Sequence, residues 1–288
     1  MNDLKDKTIL IIGLGQIGGS IGIDLVRSRS VGLVIGYDIN YKTMLKAKKI
    51  GAVERIVKSI ENGIRQADII ILATPIGVIV RFLLKICRLC NQDQIILDVA
   101  GTKNEIFKKL NKINTVTPYY GGHPMAGTEK IGINAAVPNL FNGVPFIITP
   151  HKNGNKESYQ AVINIIKLIK ATPFEMGNDR HDELMARISH LPYLLAICLL
   201  QLISSNEDKS FISSMTGGSF LSATRVAGSS PELTRDMFLT NCKNFKEAIE
   251  QFEGIIADFK KQLIADNKSG LLKIIEKAHT MKQELFHA

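Results

Sequence analysis

Cysteine is scarce in this chain of 288 residues: there are four, and nothing at the N-terminus reads as a secretory leader. That disfavours a secreted, disulfide-built fold and leads us to expect a reducing, cytoplasmic setting. Long hydrophobic runs are missing too. The longest, LPYLLAICLLQLI from Leu191 to Ile203, is too short to cross a bilayer and contains Gln201, so it predicts a buried helix rather than a membrane span. Dense blocks of one charge are also lacking. Lys and Arg number 36 against 27 Asp and Glu, a formal net charge of +9. The basic residues are scattered and not interleaved with aromatics, which predicts a lysine-rich surface and gives nucleic-acid binding little support. There is no internal repeat, no low-complexity segment and no long linker.

What is present is an alternation of short apolar runs and helical patterns over roughly the first 175 residues. TILIIG (Thr8–Gly13), LVIGYD (Leu33–Asp38), DIIILAT (Asp68–Thr74) and QIILDV (Gln94–Val99) are continuous and rich in isoleucine, leucine and valine. Such runs suit parallel strands buried on both faces. NTVTPY (Asn114–Tyr119) and VPFIIT (Val144–Thr149) read as two more strands, with helices over Ile17–Arg27, Tyr41–Ile50 and Val78–Cys90 among those between them. The pattern predicts an α/β fold with a doubly wound parallel sheet. After Glu175 strand-like runs largely stop, and His181–Ser204, Glu232–Asp266 and Gly270–Phe286 read as long helices. We therefore expect a dinucleotide-binding domain over residues 1–176 and an all-helical domain over 177–288. The apolar patterns around Ile249–Phe259 and Leu263–Ile275 exceed what one face of a monomer needs, which predicts a homodimer.

The segment GLGQIGGS follows the first strand and opens the first helix. Gly13, Gly15 and Gly18 supply the G-x-G-x-x-G spacing: a tight turn, a close approach to a pyrophosphate, and tight helix–strand packing. Gln16 and Ile17 lie at the helix start, where free amides and the positive dipole end favour phosphate. Asp38 ends the second strand 20 residues after Gly18. Its carboxylate can accept both ribose hydroxyls and would repel a 2′-phosphate, which predicts NAD rather than NADP, with nearby Lys42 able to soften the preference. Ala73, Thr74 and Pro75 close the third of the strong strands, where the nicotinamide half would run; Pro75 reads equally well as a simple turn.

GGHPMAGTEK, Gly121 to Lys130, fits neither a good helix nor a good strand. The glycine pair suggests a close approach, and Pro124 restricts His123 to extended angles. A neutral imidazole held there could take a proton from a substrate hydroxyl as hydride leaves the same carbon. This segment, with the upstream glycine loop and the downstream ISHLP (Ile188–Pro192) and TRVAGSSPELTRDMF (Thr224–Phe238), resembles the prephenate and arogenate dehydrogenase family over nearly the whole chain. The resemblance implies oxidative decarboxylation of prephenate with hydride transfer to NAD, and a helical dimerisation domain. The alternative is arogenate, or both ring substrates. It makes His123 the histidine that bonds the ring hydroxyl and Arg225 the arginine that binds the side-chain carboxylate. Thr128 and Glu129 then line the pocket, and His190 matches the histidine of the second domain's first helix.

Two positions depart from the family pattern. A serine commonly follows the strand ending in Asp98, but here DVAGTK puts Gly101 in its place, so Thr102 or a water is the candidate for that contact. Tyr193 stands where many prephenate-specific relatives carry a second histidine. Other candidates carry less. Cys87 and Cys90 form a lone C-x-x-C pair in an apolar helix, which predicts core packing and no metal site. His181 reads as a helix-cap residue, and His151, His279 and His287 have no evident partners in the sequence. A β-hydroxyacid-type dehydrogenase would want its catalytic lysine and asparagine a helical turn apart, whereas Lys243 and Asn244 are adjacent. A sensor that binds NAD without turnover is a third reading, and the histidine segment argues against it. From its length the chain is expected to carry no appended regulatory or chorismate mutase domain.

Overall fold

The computed structural model describes residues 4–113, 115–203 and 208–286; Asn114, Ser204 and His287, which enter the expectations above, lie outside them. Contacts divide the chain into two compact units, Met1–Cys242 and Lys243–Ala288.

The larger unit begins as an alternation of strands and helices. They are β1 (Thr8–Ile12), α1 (Gln16–Ser28), β2 (Leu33–Tyr37), α2 (Tyr41–Lys49), β3 (Arg55–Ile56), α3 (Ile60–Gln66), β4 (Ile69–Leu72), α4 (Ile76–Leu89), β5 (Ile95–Asp98), α5 (Asn104–Ile113), β6 (Tyr119–Pro124), β7 (Pro145–Pro150), α6 (Lys156–Leu168) and β8 (Thr172–Glu175). The eight strands form one sheet in the order β3-β2-β1-β4-β5-β6-β7-β8. Pairing is parallel from β3 to β6, antiparallel between β6 and β7, and parallel again between β7 and β8. The doubly wound core is as expected, and the far edge makes the sheet mixed. The strands β3 and β8 escape a sequence reading because β3 has only two residues and β8, Thr-Pro-Phe-Glu, is largely exposed and carries no apolar run.

Both faces of the sheet are covered. One apolar cluster runs from Ile9, Ile11 and Leu25 to Ile148 and Ile165; the other holds Leu10, Ile70, Leu83 and Leu110. Cys87 and Cys90 are packed in the second cluster, and burial pushes their thiols up to about 11 and about 12. Neutral thiols in that setting pack as apolar groups.

Beyond β8 the unit is helical: α7 (Asn178–Met185), a π-helical turn over Ala186–His190, α8 (Leu191–Leu202), α9 (Lys209–Met215), α10 (Gly218–Thr224) and α11 (Pro231–Thr240). The helix read as running through Glu232–Asp266 breaks at Asn241, and α12 (Cys242–Ile264) restarts it. The second unit consists of the rest of α12 and of α13 (Lys268–Phe286). The apolar run at Leu191–Ile203 is not a buried helix in this chain: within α8 only Ala196 is fully buried. With the preceding turns it forms a 25-residue helix, Asn178–Leu202, long and apolar enough by composition to cross a membrane. A run apolar on every side gives no clue to whether its own chain or another surface covers it.

Candidate active site

The glycine loop is held by its own packing. Gly13 has a φ of +95°, and a Cβ there would stand 2.7 Å from the carbonyl carbon of Ala73; one on Gly18 would stand 2.0 Å from the carbonyl oxygen of Gly13. Loop, α1 and the end of β4 therefore approach as only glycine permits. Ala73 is a wall of this loop, and Pro75 is the N-cap of α4, its carbonyl accepting from the Val78 and Ile79 amides. Gly15 differs: a Cβ there would meet nothing within 4 Å. Gly15 is also the N-cap of α1, no side chain caps the helix, and its first turn holds no acid. An open helix N-terminus with free amides suits an anion. Asp38 lies beside it, Oδ2 accepting from the Leu14 amide at 2.9 Å and Oδ1 from that of Asn40. The donor set and the open face fit a dinucleotide.

The histidine segment begins as a strand, which ends at Pro124. His123 sits in β6, paired with Ile147 of the antiparallel β7. The glycine pair does serve a close approach, but to protein rather than to ligand. A Cβ on Gly121 would stand 2.7 Å from Lys103 Cδ, and one on Gly122 would stand 2.5 Å from the Asp98 carbonyl oxygen. Lys103 is wholly buried, and its ammonium donates to Asp98 Oδ1 at 2.5 Å, to the Ala100 carbonyl at 2.9 Å and to the Gly122 carbonyl at 2.6 Å. Tyr119 donates to the other Asp98 oxygen at 2.9 Å, and burial, then Asp98, holds its phenol well above the usual range. With three donors spent, this lysine pins the loop after β5 to β6. It thereby fixes Gly101 relative to His123. Nothing in the sequence marks Lys103 as buried, since a lysine is normally a surface residue.

A cavity of about 280 Å³ opens above β6. Gly101, His123, Thr128, Glu129, Tyr193 and Arg225 all contribute to its lining. Five expected substrate-site residues, spread over a hundred positions, thus meet in one place. Arg225 Nη1 donates to Glu129 Oε2 at 3.1 Å, both groups partly in solvent, and that pairing draws the Glu129 carboxyl below its usual range after its own backbone amide. Tyr193 shares a hydrogen bond with Ser229 at 3.2 Å. Thr128 and Gln16 bond reciprocally: Gln16 Nε2 donates to Thr128 Oγ1 at 2.7 Å, and the Thr128 amide donates to Gln16 Oε1 at 3.1 Å. The glycine loop and the histidine segment are thereby joined.

Two expected residues lie elsewhere. Thr102 is buried with its hydroxyl 2.8 Å from that of Thr240, and Thr240 in turn donates to the Asp236 carbonyl. Thr102 therefore spends its own proton on Thr240 rather than replacing the family's serine. Gly101 itself borders the cavity, and a Cβ there would stand 3.9 Å from His123 Nε2. His190 is fully buried beside Phe238 and Asn241, and burial drops its pKa to about 4. It supports the site from behind and does not line the cavity.

His181 is no helix cap. It lies within α7, fully buried, with Nε2 2.9 Å from Nδ1 of His123 and Nδ1 2.7 Å from Oδ1 of Asp182. Asp182 is fully buried too, and its oxygens accept the backbone amides of Lys103 and Asn104, each at 2.8 Å, at the start of α5. Burial, then the neighbouring His181, Lys103 and His190, hold the His123 pKa well below the usual 6.5; burial also lowers that of His181, against Asp182. Both rings are neutral at pH 7. The adjacent His-Asp pair was the only trace of this cluster in the sequence, and such pairs are common on helix surfaces.

A second hollow, about 420 Å³, lies against Ile197, Ala227, Pro231 and Phe238; it is lined mainly by apolar groups and holds none of the expected site residues.

A pyrophosphate-ready helix start joined to a cavity with a neutral histidine is the arrangement of a nicotinamide-dependent dehydrogenase. Comparison with known proteins narrows that class. Residues 21–174 match the family model "Prephenate dehydrogenase, nucleotide-binding domain", and residues 178–277 match "Prephenate dehydrogenase, dimerization domain". The chain belongs to the prephenate dehydrogenase family. It is 28% identical to the prephenate dehydrogenase of Bacillus subtilis over 288 residues, 99% of this chain and 77% of that protein. It is 30% identical to the cyclohexadienyl dehydrogenase of Zymomonas mobilis, covering 88% of this chain and 87% of that one. Among solved structures it resembles the prephenate dehydrogenase of A. aeolicus in complex with hydroxyphenyl propionate and NAD+, with a TM-score of 0.85 and 29% identity over 97% of this chain and 98% of that one.

Proposed function

We propose that this protein oxidatively decarboxylates prephenate with NAD. The observation that carries the reading is the convergence of His123, Thr128, Glu129 and Arg225 on one cavity tied to the glycine loop through Gln16. The family membership and the A. aeolicus complex support it. NAD, when bound, supplies the hydride acceptor. Gly13, Gly15, Gln16, Ile17 and Gly18 would hold its pyrophosphate, Asp38 its adenosine ribose, and the Ala73–Pro75 turn its nicotinamide side.

The chain's own work is positioning and proton handling. Arg225 anchors the side-chain carboxylate of a dianionic substrate, with Glu129 keeping the guanidinium in place between turnovers. His123 bonds the ring hydroxyl. As hydride leaves C4, the oxygen gains carbonyl character and His123 takes up its proton. The bond to the ring carboxylate then breaks, carbon dioxide leaves, and the released electron pair completes the aromatic ring. The proton returns to the phenolic oxygen, so none is consumed. The polar Tyr193–Ser229 pair, at the position where many prephenate-specific relatives carry histidine, keeps arogenate as the second reading, and the Zymomonas cyclohexadienyl relative favours some breadth.

The two domains of this reading are residues 1–176 and 177–288, supported by the family-model boundary between 174 and 178. A homodimer, supported by the matched dimerization domain and the largely uncovered α8, and a cytoplasmic location, in keeping with a biosynthetic enzyme, belong to the same proposal. The test is NADH formation with prephenate and with arogenate in parallel. Prephenate should give the higher kcat/KM; a preference for arogenate of about tenfold, roughly 1.4 kcal/mol, would overturn the substrate assignment. Turnover of neither would overturn the enzyme reading.

A further inference from the structure

The proton count in the buried cluster beneath the cavity has one consistent solution. Both oxygens of Asp182 accept backbone amides, so toward His181 this side chain is an acceptor. The proton of His181 is therefore on Nδ1, and a neutral His181 leaves Nε2 bare. The group facing that bare nitrogen at 2.9 Å is Nδ1 of His123, which must be the donor. A neutral His123 with its proton on Nδ1 has a bare Nε2. That is the nitrogen on the Gly101 side, where the cavity lies.

We propose that Asp182 and His181 are positioning residues that fix the proton of His123 on Nδ1, leaving Nε2 as the base toward the substrate hydroxyl. The inference rests on the assignment of His123 as the proton acceptor. Fixing the tautomer matters because an unconstrained imidazole exchanges its proton between the two nitrogens, and one of the two forms cannot accept a proton at Nε2. The arrangement also holds the ring, since His123 is gripped from below by a side chain that is itself fixed by a carboxylate. When Nε2 takes a proton, the imidazolium formed shares its Nδ1 proton with His181. The charged groups around the pair are Asp182 on α7, Asp98 and Lys103, whose charges offset one another beside β6, and neutral His190 on the π-helical turn. The negative end of this set is Asp182, on the side away from the cavity, which favours the passing of positive charge toward it.

The backbone amides that hold Asp182 belong to Lys103 and Asn104, directly after Gly101. One carboxylate thus sets the loop beside the base and, through His181, the base itself. A purely packing role would need neither the Nδ1–Asp182 bond nor a bare nitrogen aimed at His123.

The test is nitrogen-15 NMR of the full-length protein with labelled histidine, the His123 signals assigned by their loss in His123→Asn. In the wild type at neutral pH, Nδ1 of His123 should carry the proton and Nε2 should have the shift of a bare imine nitrogen; a proton on Nε2 overturns the proposal. His181→Leu should lower kcat by about 10²–10⁴-fold, the span of general-base catalysis, with KM for NAD unchanged and the His123 tautomer mixed or reversed. His181→Gln, whose amide can both accept and donate, should recover part of kcat. A folded His181→Leu protein with wild-type kcat and an unchanged tautomer also overturns it. If His181→Leu does not fold, the wild-type tautomer decides. The tautomer is read without substrate, so wild-type protein that turns over neither ring substrate defeats the functional reading while the tautomer result stands separately.

Discussion

The sheet half and the helical half of the larger unit differ in how much apolar core they bury. Between β1 and β8 the core is isoleucine, leucine and valine, gathered into two clusters that cover both sheet faces. From α7 to Asn241 the buried side chains among the described residues are His181, Asp182, Met185, Ala186, His190, Ala196 and Asn241. The sheet half completes its apolar core within one chain. The helical half buries its polar groups beneath the cavity, while Ile188, Leu200, Leu202 and Leu239 stay exposed. Apolar burial near 25 cal/mol per Å² stabilises the first half. The second gains less from its own interior, and its buried polar side chains His181, Asp182, His190 and Asn241 are held by hydrogen bonds to specific partners.

The comparison breaks most visibly in activity. His123→Asn should lower kcat by about 10²–10⁴-fold, the usual worth of a general base, while NAD binding measured by fluorescence stays the same. An unchanged kcat would mean that the polar cluster is structural after all. Lys103→Met attacks a buried ion pair within the sheet half. It leaves Asp98 unpaired and should cost about 3–5 kcal/mol in urea unfolding; adding Asp98→Asn should return part of the loss. Equal stability in the single variant would show that the pin between the Gly101 loop and β6 is dispensable.

Acid should also act on the buried histidines where the two halves meet. The folded protein keeps His123, His181 and His190 neutral below the ordinary 6.5, to about 4 for His190, whereas the unfolded chain protonates them near 6.5. The unfolded state therefore binds more protons in that window, so the stability is present above 6.5 and lost as pH falls toward 4. His190 alone should account for on the order of 3 kcal/mol. Thermal unfolding of wild type and His190→Phe across that range would read it, the variant losing less. Arg225→Ala should act on binding and spare the fold, raising KM for the ring substrate by a factor that corresponds to about 1.5–3 kcal/mol, as for a hydrogen bond to a charged group. Asp38→Ala should have the smallest effect, weakening NAD by about 1 kcal/mol and improving relative use of NADP in a cofactor titration.

Much of this was legible in the sequence, and unevenly. The glycine loop could be read because each glycine answers a local demand: Gly13 a left-handed turn, Gly18 a carbonyl 2.0 Å from where its Cβ would be. His123 could be read as a base, yet its backbone could not. The strand here ends in Pro124, and a Gly-Gly-His-Pro segment has no strand signature until β7 pairs with it. Thr102 looked like a substitute hydroxyl because it is next to Gly101, and its engagement with Thr240 depends on a helix 138 positions away. His181 reads as a helix cap for the same reason, since its hydrogen bonds depend on His123, 58 positions distant, and on the Asp182 beside it.

From sequence alone, then, came most of the strands, the nucleotide loop and the proposal of His123 as the base. These depend on hydrophobic runs, glycine sterics and residue type, which act over a few neighbouring positions. Tertiary structure decided which nitrogen of that base faces the cavity, why a lysine lies wholly buried beneath it and which threonine is spent elsewhere. Each of those rests on a hydrogen bond whose partner lies across a chain crossing, and its direction is set only once burial has removed water as the alternative partner.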